Sequence, residues 1–141
     1  MSTIDVKAIT KRFFAAYDSH NVDGMLALCA DGAQGRYLPY GKKSAMPIRG
    51  GLEQIWRGFP QAVPDFGAEI VETIQAEDNT VVVQALVGGT MPEDVPGLVK
   101  KGEVGRIAHV YIIRYNAQGK VSRLDCYWDN TAINAIKASA L

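Results

Sequence analysis

Residues 114–130 read RYNAQGKVSRLDCYWDN, and this stretch decides the fold. It contains the end of one apolar strand, a turn with Asn116 and Gly119, and a second strand that ends in the aromatic pair Tyr127-Trp128. These two strands are expected to close a sheet. The polar pair Asp129-Asn130 and the apolar positions that follow it predict a short terminal helix, because Asp and Asn are typical helix caps.

Other segments of the second half also have the composition of strands. Residues 66–75 alternate apolar and polar side chains, and residues 80–88 form a β-branched run after a turn at 77–79. A third strand is expected at 106–115. Residues 91–102 join it to the preceding strand, and they could cover a pocket mouth or form a disordered surface loop.

The first half predicts helices. Apolar residues from Ile4 to Tyr17 recur at steps of three and four, and a second, shorter apolar face runs from Val22 to Cys29, ending near residues 31–32. His20 lies in the break between them and is expected to be a solvated turn residue.

A loop and a third helix are expected between this helix pair and the sheet. Residues 35–51 are rich in glycine and proline and predict a loop or a short edge strand around residues 36–38. The apolar spacing from Leu52 to Phe59 predicts a short helix, which Pro60 and Pro64 are expected to stop.

Composition limits the class of protein. The chain has 141 residues, of which 48% are hydrophobic. Residues 1–141 are therefore expected to form a single domain with a core that needs no disulfide or metal. Fifteen basic and fifteen acidic residues are interspersed, so nucleic acid is not an expected partner. Cys29 and Cys126 have no CxxC spacing, which suits a reducing compartment. No apolar run approaches ~18 residues. We therefore expect a cytoplasmic protein without a membrane partner.

Several short motifs follow one another along the chain: Phe59-Pro60, Pro64-Asp65-Phe66, residues 76–79 before Val81-Val82-Val83, Gly89-Thr90, Gly105-Arg106, and Gly119-Lys120-Val121 leading to Tyr127-Trp128-Asp129. Together with the order of elements, they resemble the SnoaL-like polyketide cyclase branch of the nuclear-transport-factor-2-like superfamily. The resemblance spans nearly the whole chain. It implies an α+β, cystatin-like fold, in which a cone-shaped, strongly curved and mostly antiparallel sheet wraps around the N-terminal helices. It also implies a homodimer through the convex face of the sheet.

Strand periodicity indicates which side chains share a face. His109 and Tyr111 lie on one face of the third strand, and Cys126 and Trp128 lie on one face of the last strand, because side chains alternate. The resemblance implies that helices cover these faces and enclose a pocket for a hydrophobic small molecule. The expected substrate-binding residues are Phe13, Tyr17, Tyr37, Trp56, Phe59, Cys126 and Trp128.

Two other branches of the superfamily resemble the tail but differ at catalytic positions. Ketosteroid isomerases use a helix tyrosine and a protonated aspartate as donors and a loop aspartate as base. The aligned residues here are Phe13, Tyr111 and about Leu38, which leaves one donor and no base. Limonene-epoxide hydrolases need a strand aspartate, and Cys126 stands at that position. The sequence therefore disfavours both reactions.

SnoaL-like cyclases close a ring by an aldol reaction, which needs a base and a donor that stabilises the enolate. The resemblance implies no metal and no cofactor. His109 with Tyr111 is one candidate pair, although a buried histidine can also be a core residue satisfied by one hydrogen bond. Asp129 matches the family's aspartate near the end of the last strand, but the residues that follow it favour a helix cap.

The predicted function is acid/base cyclisation or isomerisation of an apolar, polyketide-like carbonyl compound in a central pocket. The alternative is a noncatalytic small-molecule-binding protein of the same fold. A base within hydrogen-bond reach of the pocket centre would distinguish the two.

Overall fold

The computed structural model describes residues 4–41, 44–90, 101–102 and 105–129. Within these ranges the order of elements is α1 (Val6–Asp18), α2 (Val22–Ala27), β1 (Cys29–Tyr37), β2 (Met46–Pro47), α3 (Glu53–Ala62), β3 (Gly67–Gln75), β4 (Thr80–Gly88), β5 (Ile107–Tyr115) and β6 (Val121–Trp128). A 3-10 turn at Leu38–Tyr40 follows β1, and an irregular turn at Ile48–Leu52 leads into α3.

The strands form one curved, unclosed sheet with the order β2-β1-β6-β5-β4-β3. Only β1 and β6 pair in parallel within the described part of the chain; the other neighbours are antiparallel. The predicted α+β fold with a mostly antiparallel sheet is confirmed. None of the helices in the described ranges is long and apolar enough to cross a bilayer.

Helix α1 packs its apolar face on the sheet and is tied to it by polar contacts. Asp5 caps the helix, since its carboxylate accepts a hydrogen bond from the Ala8 amide at 3.0 Å. Thr10 is hydrogen-bonded to Tyr115 of β5 at 2.6 Å, and the Asp18 carboxylate accepts a bond from the Ala68 amide of β3 at 2.9 Å. These contacts fix where α1 presents its last aromatic residue, Tyr17.

The structure corrects the sequence prediction between α2 and α3. Helix α2 ends at Ala27, and residues 29–37 form the nine-residue strand β1. The sequence predicted a helix end there, followed by a loop or a short edge strand around residues 36–38. This strand begins with small and polar residues, including Ala30 and Gly32, so it lacks the β-branched pattern of a predictable strand. The sheet therefore has more strands than the four that the sequence indicated.

The predicted end of the next helix before Asp65 is confirmed, but Pro60 does not end it. Pro60 lies inside α3, and the amide of Val63 still donates to the Phe59 carbonyl at 2.7 Å. A proline removes one backbone donor but leaves its own carbonyl and the later amides in place. Helix α3 therefore continues to Ala62 and ends before Pro64.

The predicted turns have the conformations that turns require. Asp78 and Asn79 have positive φ values of 56° and 53° between β3 and β4, and Gly119 has a φ of 76° between β5 and β6. His20 also has a positive φ of 62° and is exposed, as expected of a turn residue, but its Nε2 lies 2.6 Å from the Phe66 carbonyl oxygen. The loop expected at 91–102 and the helix expected after Asp129 lie largely or wholly outside the described residues.

Candidate functional site

A cavity of about 200 Å³ lies between the concave face of the sheet and helices α1 and α3. Its wall is mostly aromatic and is formed by Tyr17, Tyr37, Phe59, Phe66, Tyr111 and Trp128, with His109 beside them. The volume is below the range of about 300–1,000 Å³ that is typical of sites for drug-sized ligands. The cavity therefore suits a compact, apolar ring compound.

The predicted site residues fall into two groups. Those that line the cavity are Tyr17, Tyr37, Phe59, His109, Tyr111 and Trp128. The remaining four are not among its lining residues. Phe13, Trp56 and Cys126 are at most 1% exposed and lie behind the wall. Asp129 follows β6 directly and is exposed.

Three tyrosines from different elements meet in this cavity: Tyr17 of α1, Tyr37 at the end of β1 and Tyr111 of β5, here called the tyrosine cluster. The hydroxyl of Tyr17 interacts electrostatically with those of both Tyr37 and Tyr111. Burial raises the pKa of Tyr17 and of Tyr111 well above the ordinary tyrosine value. Both hydroxyls therefore keep their protons at neutral pH and can serve as hydrogen-bond donors.

The tyrosine cluster changes the comparison with ketosteroid isomerases that the sequence suggested. The sequence alignment placed Phe13 at the helix donor position, but Phe13 is fully buried beside Trp56. Tyr17, one helical turn later, reaches the cavity instead. The site thus has more hydroxyl groups than the single donor expected from the sequence.

His109 lies on β5 directly opposite Trp128 of β6. Its ring stacks on Trp128 with centroids 5.0 Å apart and an interplanar angle of 20°, and its Nδ1 is 3.1 Å from the carbonyl oxygen of Ile107. A carbonyl oxygen can only accept, so Nδ1 carries the hydrogen of this bond.

The charge state of His109 follows from its surroundings. Burial lowers its pKa below the ordinary value of 6.5, although hydrogen bonds to the backbone oppose that shift. The ring is therefore neutral at pH 7, and Nε2 is the nitrogen that has a lone pair. A neutral imidazole in this state can accept a proton.

Glycines allow the end of β4 and the segment before β5 to approach each other beside the cavity. Gly88 has a φ of 137°, and a Cβ there would overlap the carbonyl oxygen of Gly105. Next to it, the Asp65 carboxylate accepts bonds from the amide and the hydroxyl of Thr90 at 2.8 and 2.7 Å. These bonds lower the pKa of Asp65, so it stays ionised and ties the segment after α3 to the end of β4.

Sequence reasoning missed several apolar residues of the wall, namely Val63, Phe66, Val87 and Ile107. The inward position of Ile107 could have been found, because it shares the alternation of His109 and Tyr111 on β5. Val63 lies in the irregular segment after α3, where no periodicity applies, and Phe66 directly precedes β3, which begins at Gly67. Within the described ranges, no group of three or more His, Cys, Asp or Glu side chains is arranged to hold a metal ion.

The chain is similar to several solved structures over most of its length. AclR, a candidate hydroxylase from Streptomyces galilaeus, is 17% identical with a TM-score of 0.76, and 99% of each chain is covered. IdmH, a candidate polyketide cyclase from Streptomyces antibioticus, is 18% identical with a TM-score of 0.77, covering 95% of this chain and 99% of that one. A protein with a ketosteroid isomerase-like fold from Catenulispora acidiphila, solved with trimethylamine, is 16% identical with a TM-score of 0.71, covering 90% and 89%.

These identities establish a shared fold and no more. Among curated proteins, none matches the sequence significantly. A sequence model of the SnoaL-like domain matches residues 10–124, which is most of the chain. The protein therefore belongs to the family of SnoaL-like domains.

Proposed function

We propose that this protein is a cofactor-independent cyclase or isomerase that removes a proton next to the carbonyl group of an apolar, polyketide-like compound. The observation that carries the proposal is the bond from His109 Nδ1 to the Ile107 carbonyl at 3.1 Å. It leaves the lone pair on Nε2, in a ring that lines the same cavity as three tyrosines. A base and hydroxyl donors around one apolar space are what enolate formation requires.

The proposed reaction begins with transfer of the α-proton of the substrate to Nε2 of His109. The carbonyl oxygen then carries the negative charge of the enolate, which hydroxyls of the tyrosine cluster stabilise by hydrogen bonds. In an isomerisation, the imidazolium returns the proton to a different carbon. In a cyclisation, the enolate carbon attacks a second carbonyl of the same molecule, and the imidazolium protonates the resulting alkoxide.

Asp129 remains the second candidate base, because the family resemblance assigns a role to an aspartate there. It ranks below His109, since it is exposed and is not among the residues that line the cavity. Tyr17, Tyr37, Phe59 and Trp128 are proposed to contact the ligand. Phe13, Trp56 and Cys126 are proposed to support these residues from behind.

The shape of the wall supports a flat ligand. Phe59 and Phe66 are stacked with centroids 4.9 Å apart at 18°, and His109 and Trp128 are stacked at 5.0 Å and 20°. Aromatic ligands gain from offset stacking and edge contacts with such rings. The proposed substrate class is therefore a small aromatic or enone-like ring system with an enolisable ketone.

The test is solvent-deuterium incorporation into β-tetralone, a flat ketone with acidic α-protons, followed by NMR. Wild-type protein should accelerate the exchange, and His109→Gln should slow it by about 10²–10⁴-fold, the usual contribution of a general base. His20→Gln is the matched control, because His20 is the other histidine of the chain and does not line the cavity. The exchange rate of this variant should stay within about threefold of the wild-type rate.

The alternative, a noncatalytic binding protein, predicts a different result. β-Tetralone would shift the resonances of the cavity aromatics, but the exchange rate would equal that of buffer. Equal loss in the His20 and His109 variants would also contradict the role assigned to His109.

We also propose a homodimer through the outer face of the sheet. That face carries large apolar side chains that are well exposed in the described part of the chain, including Ile74 (52%), Val110 (37%) and Tyr127 (41%). Val110 and Tyr127 are cross-strand neighbours, and exposed apolar side chains grouped in this way are typical of a protein interface. Light scattering at micromolar concentration should give about twice the chain mass of 15.3 kDa. Val110→Asp should give the monomer mass, and a monomeric wild type would contradict the interface.

Charge on the same face is self-complementary. The Asp125 carboxylate is buried and receives two bonds from Arg36 at 3.0 and 3.1 Å, with Arg114 and Arg123 at 3.5 and 3.3 Å. Burial opposes ionisation, but the arginines hold the pKa of Asp125 below its usual value. The cluster is thus net positive. Strand β3, at the edge of the sheet, exposes the glutamates Glu69 and Glu72. A second copy related by a two-fold axis could bring the two regions together.

We further propose that the chain forms one domain and functions in the cytoplasm. Cys29 and Cys126 are both buried free thiols, which suits a reducing compartment.

A further inference from the structure

Trp56 of α3 lies outside the cavity but is bonded to its wall. The side chain is 1% exposed and packs edge-on against Phe13, with ring centroids 5.8 Å apart. Its Nε1 lies 2.7 Å from the hydroxyl oxygen of Tyr37. An indole N–H can only donate, so the oxygen of Tyr37 accepts this bond.

Tyr37 connects Trp56 to the rest of the tyrosine cluster. The hydroxyls of Tyr37 and Tyr111 both interact electrostatically with that of Tyr17, and all three residues line the same cavity. The bond from Trp56 therefore reaches a cluster of buried hydroxyls that lines the cavity. Hydrogen bonds that share one hydroxyl polarise each other, so Tyr37, whose oxygen already accepts the bond from Trp56, is a stronger donor.

The effect of this stronger donor depends on the charge of the oxygen that accepts the hydrogen bond from it. A hydrogen bond to an anionic oxygen is about twice as strong as one to a neutral oxygen, and a dry, low-dielectric site increases the difference. Tyr17, Tyr37 and Tyr111 are at most 3% exposed, so water competes little for their hydroxyls. A donor placed behind Tyr37 should therefore favour an anionic oxygen over a neutral one.

We propose that Trp56 is a positioning residue for an oxyanion-binding site formed by the tyrosine cluster, which takes the ionised oxygen of a phenolate or enolate in preference to a neutral carbonyl or phenol. The role of this preference in catalysis rests on the proposed function. The preference itself can be measured without turnover, so the oxyanion site and the proposed catalytic function can be refuted separately.

The test uses para-nitrophenol, whose ionised and neutral forms differ in absorption, and para-nitrotoluene, which has the same shape but cannot ionise. At a pH where free nitrophenol is mostly neutral, the wild-type protein should bind it with an increased fraction of phenolate. Trp56→Phe should weaken nitrophenol binding about tenfold, equivalent to about 1.4 kcal/mol, and lower the bound phenolate fraction. Nitrotoluene binding should change by less than about twofold.

Phe13→Leu is the matched control, because it alters packing beside Trp56 and leaves the indole N–H in place. It should weaken both probes equally and keep the phenolate fraction of wild type. Tyr37→Phe removes the acceptor instead of the donor, so it provides a second variant should Trp56→Phe fail to fold. It should show the same selective loss, and adding Trp56→Phe to it should cause no further selective loss.

Three results would overturn the proposal: a wild-type protein that binds no phenolate preferentially, equal weakening of the two probes by Trp56→Phe, or the same selective loss in Phe13→Leu. If phenolate selectivity depends on Trp56 but β-tetralone exchange is absent, the oxyanion site stands and the proposed catalysis is wrong.

Discussion

Replacing Thr10 by Val should destabilise the protein by about 1–3 kcal/mol, the cost of a buried donor without its partner. Thr10 is completely buried, and its Oγ1 lies 2.6 Å from the Val6 carbonyl oxygen and 2.6 Å from the Tyr115 hydroxyl. The carbonyl can only accept, so Thr10 donates to Val6 and Tyr115 donates to Thr10. Val fills nearly the same space but offers no acceptor, which leaves the hydroxyl of Tyr115, 5% exposed, without this bond.

This bond matters for the site because it joins the helix that carries Tyr17 to the strand that carries His109 and Tyr111. The assay is urea unfolding followed by circular dichroism, applied to Thr10→Val, Tyr115→Phe and the double variant. The double variant removes both polar groups, so it should lose less stability than the sum of the single variants, with a coupling of about 1 kcal/mol or more. Strictly additive effects, or a Thr10→Val protein within about 0.5 kcal/mol of wild type, would refute the reasoning.

Further predictions concern the titrating and fluorescent groups. Because burial lowers the pKa of His109, the exchange rate should fall on the acid side with an apparent pKa below 6.5; a value of 6.5 or above would contradict this base. Burial raises the pKa of Cys29 to about 11 and that of Cys126 to about 12, so a thiol reagent should label neither until the protein is unfolded; rapid labelling of native protein would show that the thiols are accessible. Trp128 lines the cavity and Trp56 lies behind it, so contact quenching by β-tetralone should disappear in Trp128→Phe. Unchanged quenching in that variant would place the ligand elsewhere.

The parts of the fold and site that depend on local periodicity could be predicted from the sequence. Alternation along β5 predicted that His109 and Tyr111 face the same side, and both line the cavity. The alternation along β6 likewise predicted that Cys126 and Trp128 share a face, and they lie opposite Tyr111 and His109. In each case the residues that determine the face of the strand are close together in the sequence.

The parts that depend on distant contacts could not be predicted. Strand β1 has few β-branched residues, and its position is decided by parallel pairing with β6, far along the chain. The tyrosine cluster joins α1, β1 and β5, and the Trp56 bond adds α3, so no spacing in the sequence reveals it. Tyr17 lines the cavity and Phe13 lies behind it, although the two are only about one helical turn apart on α1.

The central claim is that His109 presents an unprotonated Nε2 to the cavity, and the nitrogen NMR spectrum of histidine-labelled protein at neutral pH tests it most directly. We predict that His109 is neutral with its hydrogen on Nδ1, because that atom donates to the Ile107 carbonyl. The Nε2 resonance should have the shift of an unprotonated nitrogen and should move when β-tetralone is added. A protonated ring, a hydrogen on Nε2, or an Nε2 signal that does not respond to the ligand would contradict the account.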